Sequence, residues 1–289
     1  MADSVKASAS GTFAIGGDLT VNRLGYGAMR IVGEGVWGEP KEPENAKAVL
    51  RHAVELGVNF IDTADAYGPD VSERLIGEAL APYADGVIVA TKGGLTRQGP
   101  MKWLPVGRPE YLRQQVEMSL RFLKLERIDL WQLHRIDPKV PVGESLAVIA
   151  EMQQQGKIRH VGLSEVKPHE IEEARKTVKI VSVQNQYNIG DRKHDDVVDY
   201  CTKEGIAFIP WFPVAGGTLA QPGGVLDVAA KQHGATVSQL SLAWLLWKSP
   251  VVLPIPGTTS LAHLEENVAA GAVKLSDAEW AEIEAAVTA

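Results

Sequence analysis

Four residues of this chain form a set that can move a proton: Asp62, Tyr67, Lys92 and His134. A free phenol has a pKa near ~10 and is a poor acid at neutral pH. An ammonium within a few ångströms favours the phenolate and lowers that value, while a carboxylate keeps the ammonium charged and oriented. An imidazole beside them can bond the same oxygen, or a carbonyl oxygen offered by a substrate. Tyr67 is therefore expected to act as general acid/base for a carbonyl/alcohol couple, tuned by Lys92 and Asp62 and assisted by His134. No side chain delivers hydride, so the same chemistry calls for a cofactor.

Such a set needs rigid elements to aim it. The run 57–68 begins as an apolar strand, breaks at Asp62 and presents Tyr67 beside a Gly-Pro turn. Lys92 closes the apolar run 87–92, His134 the run 128–134 and Ser164 the run 158–164. Gln184 and Trp211 stand in the ends of the runs 181–186 and 206–213. Runs at 21–29 and 251–256 complete eight strand signals. Helical patterns alternate with them at 44–56, 72–80, 109–123, 143–155, 168–177, 195–203, 225–232, 238–248 and 261–270, with a last one at 277–286. Asp70 and Ser276 are expected as helix caps, and Gly57 as a C-terminal stop.

This alternation predicts an α/β chain folded as an eight-stranded parallel (β/α)8 TIM barrel, residues 1–289 forming one domain. A short hairpin around Gly16-Gly17-Asp18 precedes it. In such barrels the carboxyl ends of the strands carry the chemistry, so the polar strand ends share one rim. An open doubly wound sheet would announce itself with a glycine-rich turn after the first strand. Here Gly25-Tyr26-Gly27 is followed by Ala28, Met29 and Arg30 rather than a third glycine.

Composition narrows the function classes. The 289 residues are 45% hydrophobic and 22% charged, with a formal charge of −7, which argues against a nucleic-acid partner. No window has the ~20 consecutive apolar residues of a membrane span. A single cysteine, Cys201, fits a cytoplasmic setting and reads as a buried structural thiol. Residues 1–10, rich in Ala and Ser, read as a disordered start. Trp244 and Trp247, three apart on an apolar helix, read as packing. His52, His160, His169, His194, His233 and His263 are scattered, so a metal centre is not expected.

Taken together, Asp62, Tyr67, Lys92 and His134, with Gly162-Leu163-Ser164, the segment 183–187 and Ile255-Pro256-Gly257-Thr258, resemble the aldo-keto reductase family from about Gly11 onward. The segments 25–29, 151–156 and 256–267 resemble its bacterial pyridoxal reductase-like branch. The resemblance implies NADPH lying across the top of the barrel, and hydride transfer to an aldehyde or ketone that Tyr67 protonates. It implies that Ser164 and Gln184 bond the nicotinamide carboxamide and that Trp211 stacks on the ring. Pro213, Val214, Gly216, Gly217 and Leu219 match the loop over the pyrophosphate. Thr258, Thr259, His263, Glu266 and Asn267 match the adenosine end, and Gly27, Ala28, Met29, Asp62, Ile255 and Gly257 complete the cofactor set. Met29, Arg30, Trp37, Trp103 and Arg135 are substrate candidates by position, and pyridoxal is the branch's implied substrate.

Two positions depart from the family pattern. Glu165 stands where an Asn usually follows the serine, and either takes the carboxamide NH₂ or points away. Gly257 and His263 replace cations that often hold the 2′-phosphate, which leaves NADH open beside NADPH. Other functions compete with that reading, and a metal-dependent barrel hydrolase among them would want several His and carboxylates together. A cofactor-sensing subunit of the same family would lack turnover, and a broad aldehyde reductase would lack one substrate. A Schiff-base aldolase needs a neutral Lys92, which Asp62 opposes. A monomer or small homo-oligomer is expected.

Overall fold

The computed structural model describes residues 5–217 and 221–288. Strands β1 (Thr12–Ile15) and β2 (Leu19–Asn22) form an antiparallel hairpin, and β3 (Tyr26–Gly27) begins the main sheet. Then follow α1 (Pro43–Glu55), β4 (Phe60–Asp62), α2 (Val71–Leu80), β5 (Ile88–Gly93) and a second hairpin, β6 (Leu95–Arg97) with β7 (Trp103–Pro105). Next come α3 (Pro109–Leu123), β8 (Ile128–Leu133), α4 (Val142–Gln154), β9 (Ile158–Ser164), α5 (Pro168–Arg175) and β10 (Ile180–Gln184). The chain ends with α6 (Asp195–Glu204), β11 (Ala207–Phe208), α7 (Val225–Gln232), α8 (Val237–Lys248), α9 (Leu261–Ala269) and α10 (Asp277–Thr288).

Seven parallel strands run in the order β11-β10-β9-β8-β5-β4-β3. The expected eighth strand, 251–256, is an extended segment rather than a named strand, but it bonds on both sides. Phe208 N–H donates to Val251 O and Leu253 N–H to Phe208 O, while Gly25 N–H donates to Pro254 O at 2.9 Å. The sheet therefore closes into the expected barrel. The first strand signal, 21–29, is divided: its start belongs to the hairpin, and only Tyr26–Gly27 pairs with β4.

Ile15, Leu19 and Val21 from the hairpin pack with Phe60, Ile88, Ala90, Leu130 and Leu253 in one buried cluster that fills the barrel's interior. Val89 of β5 instead packs outward with α1 and α2 residues such as Leu50, Leu75 and Ile76. Pleated alternation on β5 thus points Ile88, Ala90 and Lys92 inward and Val89 and Thr91 outward. Gly57 ends α1 at φ 85°, a left-handed conformation that favours glycine. Gly162 is required by crowding, since a Cβ there would lie 1.9 Å from Ser182 Oγ.

Several local expectations are corrected. The disordered start gives way at Ala7: residues Ala7–Ser10 form a 3-10 turn with Ala7 fully buried and its N–H bonded to Leu56 O, while residues 1–4 lie outside the described residues. Asp70 occupies the cap position of α2, but its side chain makes no capping bond. Its backbone is left-handed, which turns the carboxylate away. Ser276 does accept from Glu279 N–H. Cys201 is buried, and burial pushes its thiol up to about 12. Trp244 stacks on Tyr187 and Trp247 on Trp280, as packing requires.

Candidate active site

The inward phase of five strands brings the predicted polar ends together. Asp62, Lys92, His134 and Tyr67 are all buried at the carboxyl-end rim of β4, β5 and β8. Lys92 Nζ donates to Asp62 Oδ2 at 2.6 Å and to Thr63 O at 2.8 Å, and lies 3.5 Å from the Tyr67 hydroxyl. The other carboxylate oxygen, Asp62 Oδ1, accepts from Gln184 Nε2 at 2.8 Å and Gln132 Nε2 at 3.3 Å. Ser182 Oγ in turn donates to Gln132 Oε1 at 3.2 Å. Ser182 and Gln184 reach the interior because the β9–β10 register shifts between Ile180 and Ser182, a bulge that re-aims the strand end.

Charge and burial act on these groups in opposite directions. Burial is the largest single influence and works to lower the Lys92 ammonium, yet the Asp62 carboxylate and the Tyr67 hydroxyl together outweigh it and hold the amine above its ordinary range. For Tyr67 the sequence argument is corrected: burial pushes the phenol above its ordinary value of 10, and Lys92 opposes the rise without reversing it. Burial, then the cations Lys92, Arg135 and Arg97, hold His134 well below its usual range, so the imidazole is neutral. Its ring meets Tyr67 edge-on at 5.9 Å, and among the described residues its Nδ1 has no hydrogen-bond partner.

These groups open on a cavity of about 860 Å³, within the ~300–1,000 Å³ range of ligand pockets. Of the expected cofactor set, Gly27, Met29, Asp62, Ser164, Gln184, Trp211, Pro213, Val214, Gly217, Ile255, Gly257, Thr258, Thr259 and His263 line it. Ala28 is buried beside it. Gly216 belongs to the adjoining 3-10 turn, and Leu219 lies outside the described residues. Glu266 turns toward α8, accepting from Thr236 Oγ1, and Asn267 is buried on α9 without lining the cavity. The loop 257–260 is pinned by Tyr26 OH on Thr258 O at 2.6 Å and Asn45 on Thr259 O at 2.8 Å. The cavity thus has amide-bonding groups and a flat indole at one end. It also has Thr258, Thr259 and, on α9, His263. That donor set fits an extended nicotinamide dinucleotide.

The substrate candidates divide. Met29, Arg30, Trp103 and Arg135 line the cavity, whereas Trp37 does not. Arg135 Nη1 donates to His134 O and to Ser164 Oγ at 3.0 Å. The sequence reading missed the β6–β7 hairpin and the residue that pins it, Arg97. Its guanidinium donates to the carbonyls of Val36, Ala66, Gly35, Gly99 and Lys102. It also lies 3.6 Å from the Trp103 ring centroid and 5.6 Å from that of Trp37. Leu95, Met101 and Pro105 of this hairpin, with Val36 and Phe212, add apolar wall.

Glu165 does not line the cavity. Its Oε1 accepts from the Trp211 indole at 2.7 Å and from Gln186 N–H at 2.6 Å.

Comparison with known proteins follows the geometry. A sequence model described as "Aldo/keto reductase family" matches residues 23–288. An uncharacterised oxidoreductase of Schizosaccharomyces pombe is 53% identical over 281 residues, covering 97% of this chain and 91% of the relative. Pyridoxine 4-dehydrogenase of Escherichia coli K12 is 47% identical over 274 residues, covering 93% and 95%, which bears out the branch resemblance. The glycerol dehydrogenase structure from Gluconobacter oxydans superposes with a TM-score of 0.85 at 26% identity, over 96% of this chain and 95% of that one.

Proposed function

Because the chain belongs to the aldo/keto reductase family, an oxidoreductase family, we propose that it is an NADPH-dependent enzyme interconverting an aldehyde or ketone and its alcohol. Pyridoxal, reduced to pyridoxine, is the proposed substrate, and it rests on the likeness to the Escherichia coli dehydrogenase. One observation carries the reaction class: a buried, carboxylate-paired Lys92 stands 3.5 Å from the phenol of Tyr67, beside a neutral His134, at one end of the cavity.

The bound nicotinamide would supply hydride. Tyr67 keeps its proton at neutral pH, as a phenol does, and burial raises it further above that range, so it stands loaded as an acid. Lys92, held charged by Asp62, stabilises the phenolate left when that proton moves to the substrate oxygen. Neutral His134 offers a hydrogen bond to the same oxygen without adding a second cation. Gln184 and Gln132 keep Asp62 oriented, so that Lys92 cannot swing away. Ser164 and Gln184 would hold the carboxamide, Trp211 the ring face, and Thr258, Thr259 and His263 the adenosine end. Arg30, whose Cγ lies 3.9 Å from where a Cβ on Gly257 would stand, adds a positive charge at the cavity wall that favours NADPH over NADH.

The test is NADPH oxidation at 340 nm with pyridoxal, 4-nitrobenzaldehyde and a ketosteroid, in wild type and Tyr67→Phe. We expect the substitution to lower kcat by about 10²–10⁴ while cofactor binding survives. Unchanged turnover in Tyr67→Phe would remove Tyr67 as the acid. Cofactor binding by wild type without any turnover would instead support a sensing subunit.

A further inference from the structure

We infer that Glu165 is a positioning residue that fixes the plane of the Trp211 indole, an inference that rests on the proposed nicotinamide site. Glu165 directly follows Ser164, the last residue of β9, and adopts a left-handed φ of 55°. Asn is enriched in that region and Glu is not, so a compensating interaction is expected. Its side chain supplies one.

Glu165 Oε1 accepts from Trp211 Nε1 at 2.7 Å and from the Gln186 backbone N–H at 2.6 Å. Its own N–H donates to Gln184 O at 3.0 Å. Gln186 and Trp211 are themselves bridged in parallel register. One carboxylate therefore joins the end of β10 to the ring that follows β11. An indole has a single donor, and engaging it holds the ring against rotation about its side-chain torsions. His194 packs behind the carboxylate, its Nε2 3.7 Å from Glu165 Oε2. Asn185 Nδ2 lies 3.2 Å from His194 Nδ1. An acceptor Nδ1 assigns the neutral ring's proton to Nε2, facing Glu165. Burial, ahead of the neighbouring charges, keeps that imidazole below its ordinary pKa.

The consequence is a division of labour across two adjacent residues. Ser164 lines the cavity, and Glu165 meets the N–H edge of the stacking ring. A ring held in one plane loses less freedom when a flat ligand stacks on it, so fixing it raises affinity without adding a contact.

Two measurements test this. In ligand-free protein, the Trp211 indole N–H resonance, identified by its loss in Trp211→Phe, should move upfield in Glu165→Ala. It should stay near its original position in Glu165→Gln, which keeps a carbonyl acceptor. Second, Glu165→Ala should raise the NADPH Kd about tenfold in the wild-type background, and far less in Trp211→Phe, where no indole donor exists. An equal loss in both backgrounds would show that Glu165 acts only through the Gln186 backbone, and would overturn the inference. If wild type failed to bind NADPH, the proposed function would fall, while the indole resonance would still decide whether the bond exists.

Discussion

Strand β5 separates two buried polar clusters that differ in one respect. On its inner face, Lys92 pairs with Asp62, and every charge there has a counter-ion or a donor. On its outer face, under α2 and α3, Thr91 donates to Glu73 at 2.5 Å and Gln115 donates to Asp65 at 3.0 Å. Among the described residues no cation bonds to Asp65, Glu73 or nearby Asp70. Burial pushes the Asp65 carboxyl up to about 7 and the Glu73 carboxyl up to about 8. Equal burial thus holds one cluster together as an ion pair and raises the carboxyls of the other toward neutral pH, and the presence of a single lysine marks the difference. The inner cluster can do chemistry because it is paired. The outer one is a packing element whose carboxyls bury most easily below about pH 7, where they stay protonated.

The largest effect should come from removing the lysine. Lys92→Met leaves Asp62 as an uncompensated buried charge, expected to cost about 3–5 kcal/mol and nearly all turnover. Urea unfolding and the 340 nm assay check both, and a stable, active variant would refute the pairing argument. Next is the pH response of the outer cluster. A carboxyl with a raised folded pKa stays protonated in the fold after the unfolded chain has released its proton. Its stabilisation is complete below the unfolded value near ~4 and is lost as pH rises through about 7 for Asp65 and about 8 for Glu73. We expect the unfolding free energy from urea titration to fall between pH 5 and about 8, by about 1.4 kcal/mol per pH unit for each of the two carboxyls while it stays protonated in the fold. Glu73→Gln should flatten that fall, and an identical slope in the variant would show that other groups carry it. The smallest effect should be Thr91→Val, which leaves Glu73 Oε1 without its donor at about 1–2 kcal/mol. Activity should persist, because Thr91 faces away from the cavity; loss of activity without loss of stability would contradict the separation of the two faces.

The inner cluster could be read from the sequence because each of its members closes an apolar run, and strand period fixes which side chains share a face. Asp62, Lys92, His134 and Ser164 needed only that rule. The outer cluster went unread, although Glu73 shares a helical face with Ile76 and Gly77, three and four residues on. A carboxylate on an apolar face was its available signal. The direction of the Tyr67 shift depends on burial, which no local pattern reports. Arg97 was hidden because its carbonyl partners on Val36 and Ala66 stand 61 and 31 residues away. The bulge before Ser182 likewise reflects how two strands meet, and neither strand alone records it.

The joint that closes the barrel has a consequence for how the chain is made. Arg23 donates to Leu246, Ser249 and Val252 carbonyls, the last 229 residues away, next to the pairing of Gly25 with Pro254. Synthesis runs from the amino end, so β3 must wait until residues 251–256 have been made before its second neighbour exists. Until then β3 and β11 are both open edges, templates for pairing with other nascent chains. A ribosome that stalled before residue 251 would release a product with two exposed seams, and the segment 251–256 is the clasp that joins them.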